Sequence, residues 1–450
     1  MSDLPHRDER KEVANSLGIA TQASASSFVY DPVLEKRIWR KLDLYVVPIV
    51  AMFYLLAFLD RTSIGNARVA GLQRDLKMSN RQYSMALTIT YIPYIIAELP
   101  TNLLLRSVGP NIMLPTMLIL WGVVTTLQGG ITPGLVLYLS LFYPRHKLNS
   151  RLAAVFSSAS PSGVFSGILA SGIIKIKESS TQTRHGWSWI FIIEGLFTVI
   201  FGLASYILLP RSPGAARFFT PEERDYIVGV LQGETVEDDE SFSWHDVGRA
   251  LVAPQVIIVA IIFFFAGIVL FGLAFFVPSI IVGLGYTASA AQLVSIPPYA
   301  VAFVVAILFA FISDHYKCRG LILIIISFLC TIGFAMFLGS DRQTALFYLL
   351  GHLAIVPPTH ATAIATGFIT SNVAGILVTW LLGSLSAAPR YRSATIVLLI
   401  SSVGIGLFSG ANVMCLARQN RLKAEVRRTL PRVEERKGMG DRSAWFEYIV

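Results

Sequence analysis

Long apolar runs separated by short polar or basic breaks make up most of the chain. They occupy Leu42–Leu59, Tyr83–Leu105, Ile112–Leu127, Gly134–Phe142, Ala153–Ile174 and Trp189–Leu209. They resume at Val256–Val277, Leu293–Ile312, Leu321–Leu338, Ala345–Val356, Ala361–Leu382 and Ala394–Leu416. The runs are continuous rather than alternating, which predicts helices and not spanning strands. Most approach the roughly 20 apolar residues that a helix needs to cross a bilayer. The polar segment Pro210–Pro254 divides them six and six. The expected fold is therefore an all-α, polytopic membrane helical bundle of two six-helix halves, nominally with 12 spans. The expected layout is a tail over 1–41, a first half over 42–209, a middle loop over 210–254, a second half over 255–416 and a tail over 417–450.

Two stretches are tight. Arg106 and Arg145 are expected on the same side, yet only roughly 38 residues separate them for two crossings and a turn at Gly129-Gly130. Between Arg342 and Leu382, the short run Ala345–Val356 is ended by Pro357-Pro358. Either these spans are short and re-entrant, or segments have been lost. The middle loop has local order of its own. Thr220-Pro221-Glu222-Glu223 reads as a capping box opening a helix to about Gln232. Glu234 to Glu240 reads as a solvated acidic linker, and Trp244, Val247 and Leu251 as one face of an amphipathic helix on the membrane surface.

Composition supports the membrane reading: 54% of residues are hydrophobic and only 14% charged, too few to cover a soluble domain. The net charge of +9 is concentrated at the ends of the runs. Arg37, Arg40 and Lys41 form one group, Arg145, Lys147 and Arg151 a second, and Lys317 and Arg319 a third. Arg418, Arg421, Lys423, Arg427 and Arg428 form the last. Short basic loops stay inside, which predicts that both termini are cytoplasmic. Basic charge bracketing spans is no nucleic-acid surface. The polar N-terminus has no apolar core of a cleaved signal. Cys318, Cys330 and Cys415 have no metal-ligand or disulfide spacing, and no cofactor is expected. Nor is there a nucleophile–base arrangement or a phosphate loop, so an enzyme is not expected.

A two-bundle plan with a cytoplasmic middle loop is that of secondary transporters, whose substrate site lies between the halves. Charges inside spans are the candidates for its chemistry. Asp60 and Arg61 close the first run: either a titrating carboxylate beside an anion-receiving cation, or a snorkelling pair at the interface. Glu98 shares a helical stripe with Thr88, Tyr91 and Tyr94 (or Ile95). It is either a second protonatable site or an acid bonding a carbonyl freed by Pro100. Glu194 follows Trp187 and Trp189 and reads as a structural pin between helices, with Trp189 marking the interface. Asn372 is either interhelical glue or a donor to a carboxylate. Ser157, Ser158, Ser160, Gly163, Ser166, Gly167, Ser171 and Gly172 make the fifth run a close-packing helix. His352 and His360 flank the prolines of the shortest run and are weak candidates for pH sensing.

The run Phe58-Leu59-Asp60-Arg61-Thr62-Ser63-Ile64-Gly65-Asn66-Ala67 resembles the first-span signature of the anion:cation symporter branch of the major facilitator superfamily. Glu98-Leu99-Pro100-Thr101-Asn102-Leu103-Leu104-Leu105 resembles the same branch's second span. Trp187-Ser188-Trp189-Ile190-Phe191-Ile192-Ile193-Glu194-Gly195, Phe218-Phe219-Thr220-Pro221-Glu222-Glu223-Arg224 and Asn420-Arg421-Leu422-Lys423 add to the likeness. It covers most of residues 35–430 and is closest to the fungal allantoate and vitamin permeases. The resemblance implies proton-coupled symport of a small organic anion, such as a carboxylate, ureide or vitamin-type acid, at the plasma membrane. It assigns proton coupling to Asp60 and substrate binding to Arg61 and Asn372; the helical stripe, apart from the resemblance, adds Glu98 as a candidate second acid and Tyr91 and Tyr94 as candidate substrate contacts. Ser313-Asp314-His315-Tyr316-Lys317-Cys318-Arg319-Gly320 resembles the superfamily's gating loop, with Asp314, Lys317 and Arg319 its charged members. Its first-half counterpart is reduced to Leu105-Arg106-Ser107-Val108-Gly109-Pro110. An arginine- and glutamate-bearing run that the family places before Gly129-Gly130 is missing, and Gln128 stands there instead. A polar loop is also missing between Pro358 and His360. The expected partners are the anion, protons and the bilayer, with the protein a monomer. The alternatives are a non-transporting nutrient receptor and an inactive, truncated transporter.

Overall fold

The computed structural model describes residues 31–123, 138–143, 145–179, 186–235, 252–283, 285–316, 319–339, 361–382 and 391–429. Every regular element among them is helical. The first helix, α1, spans Pro32–Val69. Asp31 caps it, its carboxylate accepting from the backbone N–H of Val33 at 2.8 Å and Leu34 at 3.2 Å, while Pro32 takes a position where no N–H is needed. Its 38 residues are longer than the run Leu42–Leu59 because both polar flanks stay helical. At 1.5 Å per residue it measures about 57 Å, so one end protrudes beyond the roughly 30 Å of hydrocarbon. Gly71, at φ 108°, turns the chain into a short α2, Leu72–Asp75.

There follow α3 (Asn80–Val108), α4 (Pro110–Val123), α5 (Arg145–Ser157), α6 (Ala159–Ser179) and α7 (Gly186–Leu208). The loop helix α8 is Pro221–Thr235. After it come α9 (Pro254–Gly283), α10 (Ala288–Val294), α11 (Ile296–Tyr316), α12 (Arg319–Gly339), α13 (Ala361–Trp380) and α14 (Arg392–Thr429). Two runs expected as single helices are broken. Ser158 interrupts Ala153–Ile174, its hydroxyl donating to the carbonyls of Val155 at 2.6 Å and of Ala51 on α1 at 2.9 Å. Ser295 interrupts Leu293–Ile312, bonding the Gln292 carbonyl at 2.7 Å just before Pro297-Pro298. Serine side chains compete with the helix ladder, and prolines lack its donor. Residues 124–137 and 340–360 within the two tight stretches, with them Gly129-Gly130, the start of Gly134–Phe142, all of Ala345–Val356, His352 and His360, and the Trp244, Val247 and Leu251 face lie outside the described residues.

Six described helices are long and apolar enough to cross a membrane, among them α1, α9 and α12. Large apolar side chains such as Ile96, Leu203, Ile207, Leu308 and Leu407 stand exposed around the bundle, a girdle that belongs in lipid rather than water. Before the loop, α1 packs against α5, α6 and α7, and α4 against α7. After it, α9 packs on α13 and α14, and α12 on α14. The two groups meet where α1 touches α9, α3 touches α13, and α6 touches α10 and α11. One continuous apolar core crosses that seam, joining Tyr83, Leu87 and Tyr91 of α3 to Phe271, Phe275 and Phe276 of α9.

At the end of the bundle where α1 begins, the loop helix is held to α1. The capping box is formed: Glu223 accepts from the Thr220 N–H at 3.0 Å, and Thr220 Oγ1 accepts from the Glu223 N–H at 3.3 Å. The same carboxylate, 1% exposed, also takes Lys41 Nζ at 2.8 and 2.7 Å, with Arg37 at 3.6 Å. Tyr45 stacks on Phe218 at 4.9 Å. Burial raises the cost of the Glu223 charge, but Lys41, the Thr220 N–H and Arg37 outweigh it and hold the carboxyl below the usual glutamate range. Beside it, Asp43 on α1 takes both Arg151 Nε at 2.8 Å and Nη2 at 2.7 Å, and the Tyr143 hydroxyl at 2.9 Å.

Candidate functional site

The far half of the bundle, opposite the loop helix, is where the two groups close on each other. Gly65 lies so near α9 that a Cβ on it would sit 2.5 Å from the Phe275 carbonyl oxygen. Gly375 leaves just enough space for the Tyr91 ring, and Gly163 for the Tyr299 ring. Hydrogen bonds cross the seam here from Ser84 to the Thr379 carbonyl at 3.2 Å, from Trp380 Nε1 to Thr88 Oγ1 at 2.9 Å, and from Gln292 Nε2 to the Asn66 carbonyl at 3.4 Å. The Thr88 and Tyr91 stripe seen in the sequence therefore faces the second half.

Arg61 sits at the inner margin of this closed zone, its guanidinium carbon 5.4 Å from the centre of the Phe271 ring. Phe271 in turn meets Tyr91 edge-on at 5.6 Å. Asn372 lies one turn of α13 before Gly375, where Tyr91 packs. It is 1% exposed, and its Nδ2 is buried without a hydrogen-bond partner. Of the residues named from the sequence for substrate contact, Arg61 and Tyr91 thus share Phe271 on the seam, and Asn372 lies one helical turn from the Gly375 that Tyr91 packs on. The side chains of Tyr94, Glu98, Asp314 and Arg319, and Lys317 as a whole, lie outside the described residues.

Asp60 and Arg61 do not pair. Among the described residues Asp60 makes no hydrogen bond or ion pair, and the 100° step between neighbours on a helix aims the two side chains at different surroundings. Arg61 faces α9, while Asp60 is close enough to Glu194 of α7 to act on it electrostatically. Glu194 is 2% exposed and bonds the Ser63 hydroxyl of α1. Trp189, one turn earlier, packs beside Ala170 and Ile190. Ser63 also lies 3.3 Å from Ser166 Oγ of α6, which accepts from Asn66 Nδ2. Sequence reasoning missed this cluster. Ser63 and Asn66 follow Asp60 at three-residue spacing on one helical face, a signal that was available, whereas Ser166 was indistinguishable from its small neighbours.

Among the described residues no group of three His, Cys, Asp or Glu side chains is placed to hold a metal ion. The Major Facilitator Superfamily profile matches residues 126–411. An uncharacterised transporter of Schizosaccharomyces pombe is 32% identical over 411 residues, covering 86% of this chain and 82% of its own. The high-affinity nicotinic acid transporter of Saccharomyces cerevisiae is 30% identical over 357 residues, 74% of this chain and 66% of its own. Among solved structures, the xylose transporter XylE of E. coli, in a partially occluded inward-open conformation, superposes with a TM-score of 0.61 over 81% of this chain and 97% of that one, at 15% identity.

Proposed function

The chain belongs to the Major Facilitator Superfamily and is a multi-pass membrane transporter, and from that premise we propose that it carries a small organic anion together with a proton across the plasma membrane. Both termini are then cytoplasmic, and the closed far half is the extracellular side. The observation that carries this reading is the division of labour at the end of α1. Arg61 is directed at Phe271 on the seam, which Tyr91 meets edge-on, while Asp60 does not pair with it and acts electrostatically on Glu194 of α7. A planar guanidinium is suited to a carboxylate, and an aromatic wall with one spare amide donor suits the body of a small acid. Asp60 would take the proton. The nicotinic acid transporter among its relatives supports a small carboxylate as cargo. Roles for Glu98 as a second acid, Tyr94 in the cavity, and Asp314, Lys317 and Arg319 in gating rest on the sequence motifs alone.

The test is uptake of labelled nicotinate, allantoate and a panel of small carboxylates by yeast expressing the chain, with and without a protonophore. Saturable uptake of at least one that collapses with the protonophore is expected. Arg61→Ala should abolish substrate binding, and Asp60→Asn should keep exchange but lose accumulation. Uptake that ignores the proton gradient, or both variants transporting like the parent, would overturn the reading.

A further inference from the structure

Resting on the proton-coupled reading, we infer that Glu194 is a proton-binding group, connected through Ser63, Ser166 and Asn66 to the contact that closes the two halves. The cluster is built for two states. The Ser63 hydroxyl has one proton but stands within bonding reach of two acceptors, Glu194 Oε2 and the Leu59 carbonyl at 2.9 Å, and of Ser166 Oγ at 3.3 Å. With Glu194 ionised, Asn66 Nδ2 donates to Ser166, Ser166 to Ser63, and Ser63 to the carboxylate. With Glu194 protonated, the acid donates to Ser63, and Ser63 turns its proton to Leu59. One bound proton thus reverses the Glu194–Ser63 bond and turns the Ser63 proton to Leu59, while Asn66 and Ser166 keep their donor roles.

The surroundings demand such a proton. Among the described residues no cation pairs with Glu194, its Oε1 has no partner, and Thr198 Oγ1 one turn later is likewise buried without one. Asp60 is the ionisable neighbour that acts on it; α6 presents Ser166, and α4 presents apolar residues such as Ile119 to α7. An ionised Glu194, buried with one oxygen unpartnered and no cation bonded to it among the described residues, carries an uncompensated charge that a bound proton removes.

The chain ends at the seam. Asn66, whose side chain bonds Ser166, offers its own carbonyl to Gln292 of α10 at 3.4 Å. Gln292 is fully buried, and its Oε1 is unpartnered. Gly167, one residue past Ser166, packs against the Gln292 carbonyl, at 3.0 Å from a Cβ placed there. Ser63, Ser166 and Asn66 thus run without a break from Glu194 to the place where α6 and α1 meet α10.

The experiment is a pH titration of the reconstituted protein by difference infrared spectroscopy, reading the C=O stretch of protonated carboxyl groups. It is made on the parent, Glu194→Gln, Asp60→Asn and Ser63→Ala. Glutamine keeps the size and the acceptor for Ser63, so a purely structural glutamate would be replaced without loss. The expected result is a titrating band that Glu194→Gln removes in part and Ser63→Ala displaces. A band unchanged in both variants would overturn the inference. In parallel, Glu194→Gln should keep nicotinate counterflow while gradient-driven accumulation falls to the equilibrium ratio; accumulation equal to the parent's would also overturn it. If the parent carries no probe, the proposed transport fails at that step, and the infrared titration still decides Glu194.

Discussion

Replacing Gly65 by alanine should open the far half of the seam. The added Cβ would lie 2.5 Å from the Phe275 carbonyl oxygen and 3.1 Å from its carbon, where ordinary contact begins at 3.4 Å. The obstacle is backbone on both sides, so no side chain can turn away. Relief requires α1 and α9 to separate by something under an ångström, and overpacking of this kind costs about 1–3 kcal/mol. The cost falls only on states in which the two helices touch, so it shifts the closed-to-open ratio by about 5- to 150-fold. The assay is pulsed dipolar spectroscopy in nanodiscs between labels at Leu76→Cys and Tyr286→Cys, exposed residues of the two halves at that end. The background lacks Cys318, Cys330 and Cys415. A longer distance should gain population in Gly65→Ala. Gly172→Ala is the control, since nothing lies within 4 Å of the new methyl. An unchanged distribution in Gly65→Ala, or an equal shift in the control, would refute the reasoning.

Asn372→Leu should raise thermal stability by about 1–3 kcal/mol, because it removes a buried donor with no partner, while weakening substrate affinity. A fall in stability would mean that the amide is bonded in the resting protein. Asp43→Asn should destabilise the first half by about 1–3 kcal/mol, since it leaves the half-buried Arg151 without its bidentate partner; a denaturation series on the purified protein checks this. Glu223 ionises more readily in the folded protein than in the unfolded chain, so its contribution is present above the unfolded value of 4.5 and disappears as pH falls through the lower folded one. Proteolysis within residues 236–251 should therefore rise in that acid window, and in Glu223→Gln at neutral pH. Equal protection in parent and variant at neutral pH would show that Lys41 does not hold the loop.

Much of this architecture is legible in the chain because hydrophobic length is a local property. The runs at Trp189–Leu209, Val256–Val277 and Leu321–Leu338 reappear as α7, α9 and α12 with ends shifted by a few residues. The capping box at Thr220 and Glu223 was equally readable, being a contact over three residues. What escaped depends on long-range partners. Nothing local says that Glu223 also meets Lys41, 182 positions away, or that Ser158 and Ser295 break helices whose apolar pattern runs on. At the site, Asp60 and Arg61 were easy to single out as charges in a span. Their separation was not, because only the positions of α7 and α9 decide which side chain meets which neighbour.

The grip of Lys41 on Glu223 bears on the mechanics of the whole chain. With α8 fastened to α1, the connector between the two moving halves is no longer the full stretch from Pro210 to Pro254 but only residues 236–253. These 18 residues, fully extended, reach at most about 60 Å. The docked helix thus acts as a splint: it gives the first half a longer lever arm and leaves residues 236–253 to join it to α9. An insertion before Thr235 would lengthen the arm and one after it the tether, so the two sides of a single residue have different mechanical meanings.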